Sequence, residues 1–179
     1  MIAIGNEVLL REDLDVEILI GYIKQVKEAV PHIPVGYVDA YYMFVNYPEI
    51  VDACDVIFAN CYPFWEHCAL DISVEYMKKM YELATKHANG KKVIISETGW
   101  PTKSNHFQIQ SHIANEHNQK IFNSVIDTWS EKEKVTCFFF EAFDETWKGS
   151  KDPFEPEKHW GYYDERRKPK AIKQVLVHV

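Results

Sequence analysis

The chain has 179 residues, 20 Lys plus Arg against 27 Asp plus Glu, and 46% apolar residues, which suits one domain with a core of its own. A net charge of −7 without a basic stripe argues against nucleic acid as a partner. No run of about 18 apolar residues offers a membrane span, and the eight histidines and four cysteines show no metal-ligand spacing, so no metal or cofactor is expected.

In chain order, Met1–Asn6 (MIAIGN) reads as a first strand. Met1 leads straight into this apolar run, so no signal peptide is expected; a secreted or periplasmic parent protein is compatible, and the compartment is left open. Leu14–Val30 repeats apolar residues at Ile18, Tyr22, Val26 and Val30, which predicts a helix ended by Pro31 and Pro34. Val35–Tyr41 is a second strand, interrupted by Asp39, and Tyr42–Ala53 should hold a short helix with Pro48 near its start. Asp55–Asn60 (DVIFAN) is a third strand running into CYPFWEHC. Cys61 and Cys68 flank that aromatic loop; buried free thiols are the expected state of the cysteines, with a bridge between these two left open. Leu70–His87 reads as an amphipathic helix, capped by Asp71 or Ser73 and closed by Gly90. Lys92–Ser96 is a fourth strand, Gln110–Trp129 a long helix with Trp129 assigned to the core, and Lys134–Phe140 a fifth strand. A long loop, Asp144–Arg167, and a terminal helix, Pro169–Val177, complete the chain. Strand–helix alternation of this kind predicts a parallel α/β sheet of (β/α) units.

Two strand ends carry glutamates. KKVIISETGWP places Glu97 where a continuous β-branched run stops and a Thr-Gly turn begins; MIAIGNEV does the same for Glu7. A solvated glutamate at a strand end is the plain alternative for each. Two such carboxylates are what glycoside hydrolysis needs, one as proton donor and one as nucleophile or base.

GNEV, ISETGWP and FFFEAFDETWK together resemble glycoside hydrolase family 17, the β-1,3-glucanases and β-1,3-glucan transglycosylases. The resemblance implies that Glu7 is the acid/base and Glu97 the nucleophile of a retaining reaction, with carboxyl groups about 5–5.5 Å apart. It implies a TIM-barrel-type fold, of which this chain matches the last five of eight βα units as a single partial domain over residues 1–179. Asn6 is then a candidate for the sugar 2-hydroxyl, and Tyr62 a donor that keeps Glu97 ionised. Glu145 and Lys148 match positions that brace the catalytic glutamates and contact sugar, with Glu141 and Asp144 in the same polar group. Tyr37, Trp65, Trp100 and Trp147 are candidate aromatic contacts, the last three as platforms for apolar sugar faces. The implied partner is a β-glucan chain. A non-catalytic half-barrel that binds glucan or only self-associates is the rival reading, and a generic α/β structural domain a third.

Five strands of a closed barrel leave two edges and an apolar inner face. Ile2, Ile4, Val56, Phe58, Val93, Ile95, Phe138 and Phe140 are expected to form that face, half of them in water in a monomer. A homodimer, or an N-terminal segment outside this sequence, is expected to cover it.

Overall fold

The computed structural model describes residues 1–106 and 111–171. Five parallel strands run in the order β1-β2-β3-β4-β5: β1 Ile2–Asn6, β2 Val35–Ala40, β3 Val56–Asn60, β4 Lys92–Thr98 and β5 Cys137–Phe139. Helices α1 (Val16–Ala29), α2 (Met43–Asn46), α3 (Pro48–Ala53), α4 (Leu70–His87) and α5 (Glu116–Glu133) connect them. This is the expected parallel α/β architecture. The residues fall into two compact units, one of Met1–Cys61 with Met77–Ser96 and one of Tyr62–Tyr76 with Glu97–Val179.

In the first unit, α1 packs on β2 and α3 through Leu19 and Ile23. These lie one position on from the predicted stripe, whose Ile18 and Tyr22 are exposed. Burying each of Leu19 and Ile23 contributes roughly 1.5–3 kcal/mol. The short helix expected within Tyr42–Ala53, with Pro48 near its start, is α3; one more turn, α2, precedes it, separated because Tyr47 leaves helical geometry and Pro48 starts a new first turn. β2 is buried at every position and β3 at all but Phe58, as strands covered on both faces must be. The β1–β2 register slips between Ile4 and Asn6, where Gly5 takes φ +71°, a conformation that costs glycine little. The bulge aims the residues that follow β1 away from the regular pleat.

In the second unit, β4 passes into the loop at Thr98 and Gly99. A Cβ on Gly99 would stand 2.4 Å from the Phe140 carbonyl, so glycine is required for this approach. Phe64, Trp100, Phe122 and Trp160 are fully buried and form the core here. Gln119 ties it together, its amide donating to the carbonyls of Trp100 and Trp160, each at 3.0 Å. Helix α5 begins at Glu116, later than predicted, because Asn115 caps it by accepting from Asn118 N. The start of the predicted helix at Gln110 lies outside the described residues, and a short 3-10 turn covers Ser111–Ile113. Trp129 is half-buried rather than core. Lys134 adopts the left-handed C-cap conformation, which delays β5 to Cys137. The predicted cap residues Asp71 and Ser73 lie inside α4, where Ser73 Oγ donates to Leu70 O. The predicted terminal helix lies outside the described residues from Ile172 onward; Pro169 instead pairs with Tyr163 as an isolated bridge.

Of the eight apolar strand residues named above, Val56, Val93 and Ile95 are buried within the chain, Ile2, Ile4, Phe58 and Phe140 are half-buried, and Phe138, at 57%, is exposed, so about half keep access to solvent as expected. Other exposed large apolar side chains are spread along the chain, from Met1, Ile18 and Tyr22 to Ile72, Trp147 and Phe154.

Candidate active site

In the first unit, Glu7 follows β1 in left-handed geometry, φ +54°. Its backbone is pinned: Glu7 N donates to Val38 O at 2.9 Å, and Arg11 N donates to Glu7 O at 3.0 Å. Beneath the turn, Asp39 Oδ2 accepts from the Tyr37 hydroxyl, from Leu9 N at 3.3 Å and from Leu10 N at 3.4 Å. Tyr37 Oη in turn accepts from Leu9 N at 2.9 Å. Burial raises the pKa of both groups, making each a weaker acid; for Tyr37 the Asp39 partner adds to the rise, and for Asp39 its donors only partly offset it. The apparent interruption of β2 is therefore the anchor of the Glu7 turn. Tyr37 is fully buried in that anchor, which corrects its expected role as a sugar contact.

Among the described residues of its own unit, Asn60 and Arg11 meet the Glu7 carboxyl, and Ser96 acts on it through Asn60. Asn60 Nδ2, at the end of β3, donates to Oε1 at 2.9 Å. Ser96 Oγ, near the end of β4, donates to Asn60 Oδ1 at 2.7 Å. Arg11 Nη1 lies 3.6 Å from Oε2, its side chain tethered by Asp13 and the Asn6 carbonyl. Asn6 is exposed, and its Oδ1 accepts a longer bond from Asn60 at 3.3 Å.

In the second unit, Tyr62 Oη donates to Glu97 Oε2 at 2.7 Å, the contact expected from position. The Tyr62 ring is held edge-on against Trp160 and Phe140, with centroids 5.1 and 6.1 Å away. Past β5, Lys148 Nζ bridges Glu141 Oε2 at 2.9 Å and Glu145 Oε2 at 2.5 Å and stands 4.3 Å above the Phe140 ring. Burial pushes the Glu141 carboxyl up to about 7, Lys148 opposing and Glu145 assisting. Burial works to lower Lys148, but its two carboxylate partners outweigh that and leave it raised. The trio therefore holds its cation firmly while Glu141 takes up a proton near neutrality.

Two further expectations are corrected here. Trp100 is 0% exposed, packed between Phe64 and Phe122, with Nε1 donating to Ile113 O at 2.9 Å, so it has no face to offer a sugar. Asp144 is also buried. It accepts from Gly161 N at 3.0 Å and Lys170 Nζ at 2.6 Å, with His159 Nδ1 at 3.6 Å, and it clasps the closing loop instead of contacting substrate. Burial acts to raise the Asp144 carboxyl, but His159 and Lys170 hold it below the usual carboxylate range. Trp147, by contrast, is 75% exposed beside Lys148, and Trp65 is half-buried between His106 and Trp160. Both keep accessible ring surface.

Sequence reasoning missed Asn60, Ser96, Arg11 and Asp39. A polar residue closing the apolar run VIFAN was a readable signal for Asn60, since strand ends in parallel α/β sheets carry the chemistry.

Glutamates at the carboxyl ends of parallel strands, with ring surfaces and a carboxylate-bound lysine in the loops, are the hallmarks of a barrel-type glycoside hydrolase. The chain belongs to the BtgE/BtgC glycoside hydrolase domain family, whose model matches residues 1–161, and with it to glycoside hydrolase family 17. It is 27% identical over 186 residues to a glucan 1,3-beta-glucosidase of Arthroderma benhamiae, covering 94% of this chain and 59% of that protein. The crystal structure of a family 17 beta-1,3-glucanosyltransferase from Rhizomucor miehei superposes with TM-score 0.84 and 33% identity, covering 94% of this chain and 61% of that one. An active-site mutant of the Rhizomucor enzyme in complex with laminaritriose gives TM-score 0.83 at 33% identity, over 93% of this chain and 60% of that one. The chain thus spans about 60% of the length of these relatives.

Proposed function

We propose that this chain carries the catalytic glutamates of a retaining glycosidase or transglycosylase acting on β-1,3-glucan. The observation that supports this most is the Tyr62–Glu97 hydrogen bond, which favours an ionised carboxylate on the glutamate that matches the family's nucleophile motif. In the first step Glu7 gives its proton to the glycosidic oxygen as the bond to the anomeric carbon breaks, and Glu97 attacks that carbon to form an ester. In the second step Glu7 takes a proton from water, or from a hydroxyl of a second glucan, as that oxygen attacks the same carbon and frees Glu97. Water gives hydrolysis and the sugar gives transfer. Asn6, Tyr62, Trp65, Glu141, Glu145, Trp147 and Lys148 would contact or support the glucan. The substrate class follows from relatives that are glucan 1,3-beta-glucosidases and from the laminaritriose bound to the Rhizomucor mutant.

Glu97→Gln in the full-length protein tests the reading. It removes the nucleophile at little change in volume and should abolish release of reducing sugar and longer oligomers from laminari-oligosaccharides. Wild-type rates in that variant would refute the assignment. For the apolar strand residues that keep access to solvent, Phe138, Ile2, Ile4, Phe58 and Phe140, a cover comes from further sequence of the same protein or from a second copy, giving a homodimer. Light scattering of this chain at micromolar concentration distinguishes the two, since the second predicts twice the chain mass.

A further inference from the structure

We infer that Asn60, with its amide fixed by Ser96, reserves one oxygen of Glu7 and leaves the other, Oε2, to carry and deliver the catalytic proton. Asn60 and Ser96 are then positioning residues for the proton-transfer step. The inference rests on the acid/base reading of Glu7.

Asn60 is 2% exposed, and its place is set by the sheet. It pairs with Ala40 in the parallel register, and its carbonyl accepts from Tyr41 N at 3.1 Å. A buried amide must satisfy both ends, and here each end selects the same orientation. The Ser96 hydroxyl donates to Oδ1 at 2.7 Å; the Glu7 carboxylate accepts from Nδ2 at 2.9 Å. Turning the amide over would set Asn60 oxygen against Glu7 oxygen at about the same distance, a repulsive contact whenever Glu7 is ionised. The three side chains therefore form a directed chain: Ser96 to Asn60 to Glu7.

The consequence concerns the proton. A protonated carboxyl accepts better through its carbonyl oxygen than through its hydroxyl oxygen, so the oxygen bonded by Asn60 at 2.9 Å is the favoured carbonyl. When Glu7 is protonated, the hydrogen belongs on Oε2. Oε2 has Arg11 Nη1 at 3.6 Å, the end of a half-exposed side chain. The same bond to Oε1 holds the carboxyl rotamer, so the proton is presented in one direction rather than two. Proton delivery matters most where the leaving oxygen is basic, as a sugar hydroxyl is, and hardly at all for an acidic phenol.

The test compares two substrates in the full-length protein: a laminari-oligosaccharide and the 2,4-dinitrophenyl β-glycoside of the same sugar. For Ser96→Ala and Asn60→Ala, kcat/KM on the oligosaccharide should fall by about tenfold or more, one charge-assisted hydrogen bond's worth, and on the dinitrophenyl glycoside by less than about threefold. Ser96→Thr keeps the hydroxyl and should return the oligosaccharide value to within about threefold of wild type. Ser96 is half-buried, so Ser96→Ala keeps the test open if Asn60→Ala fails to fold. Equal losses on both substrates, no loss, or no recovery with threonine would overturn the inference. Glu7→Gln in the same assay separates the two failures. If Glu7→Gln discriminates between the substrates and the Asn60 and Ser96 variants do not, the inference falls and the acid/base reading stands. If Glu7→Gln does not discriminate, the reading falls and takes the inference with it.

Discussion

Replacing Glu141 by glutamine removes a titrating group at almost no change in volume, and its surroundings set the sign of the effect. The side chain is 16% exposed, and its Oε1 is buried without a hydrogen-bond partner. Burial carries the carboxyl from 4.5 to about 7 in the folded protein, despite Lys148. Between those values the folded state binds more protons than the unfolded state, so stability is fully present below about pH 4.5 and is lost as pH rises through about 7. At about 1.4 kcal/mol per pH unit, the loss is on the order of 3 kcal/mol, a large share of the roughly 5–15 kcal/mol that holds a typical domain together. The glutamine variant has no such dependence, and Lys148 keeps Glu145 at 2.5 Å. Urea unfolding of wild type and Glu141→Gln at pH 4.5 and pH 8 measures the difference. The variant should gain on wild type by about 3 kcal/mol between the two conditions. A pH-independent difference, or one that favours wild type at pH 8, would refute the reasoning.

Three other outcomes follow from single contacts. Tyr62→Phe keeps the ring against Trp160 and Phe140 but deletes the donor to Glu97, so kcat/KM on laminari-oligosaccharides should drop about tenfold; a change under twofold would mean the bond is idle. Lys170→Met strips the buried Asp144 carboxylate of its cation and should cost about 3–5 kcal/mol in chemical denaturation, much of it restored in the Lys170→Met, Asp144→Asn double variant. Additive losses in that cycle would show the pair to be independent. Gly36→Ala places a Cβ 2.1 Å from the Val56 carbonyl inside the β2–β3 pairing, and the expected result is a melting temperature many degrees lower or no soluble protein; a wild-type melting curve would contradict it.

Much of the fold was legible because its signals are local. Apolar β-branched runs ending in turn residues marked β1 to β4, and α4 was bounded correctly by its periodicity. The errors came from side chains whose role is set by distant partners. Ile18 and Tyr22 of α1 had the helical spacing, yet β2 and α3 receive Leu19 and Ile23 instead. Trp100 followed a catalytic-type turn and looked like a platform, but Phe64 and Phe122 close over it. Asp39 broke an apolar strand and read as an interruption; only folding shows it accepting the backbone of the Glu7 turn. Glu7 and Glu97 were readable as candidates because strand ends and the family motifs point to them, and the Tyr62 donor to Glu97 was readable from its position just past β3. Asn60 and Ser96 sit at strand ends too, yet their relation to Glu7 exists only once β1, β3 and β4 lie side by side.

The most direct measurement of the central claim is to trap the covalent intermediate. A 2-fluoro laminaribiosyl donor with an acidic leaving group slows both steps by destabilising positive charge at the anomeric carbon, and slows breakdown of the ester most. Incubated with the full-length protein and digested, it should leave one added glycosyl mass on the peptide containing Glu97, with activity lost in step with labelling and no label in Glu97→Gln. A label on any other residue, or rapid turnover of laminari-oligosaccharides with no ester formed, would contradict the account.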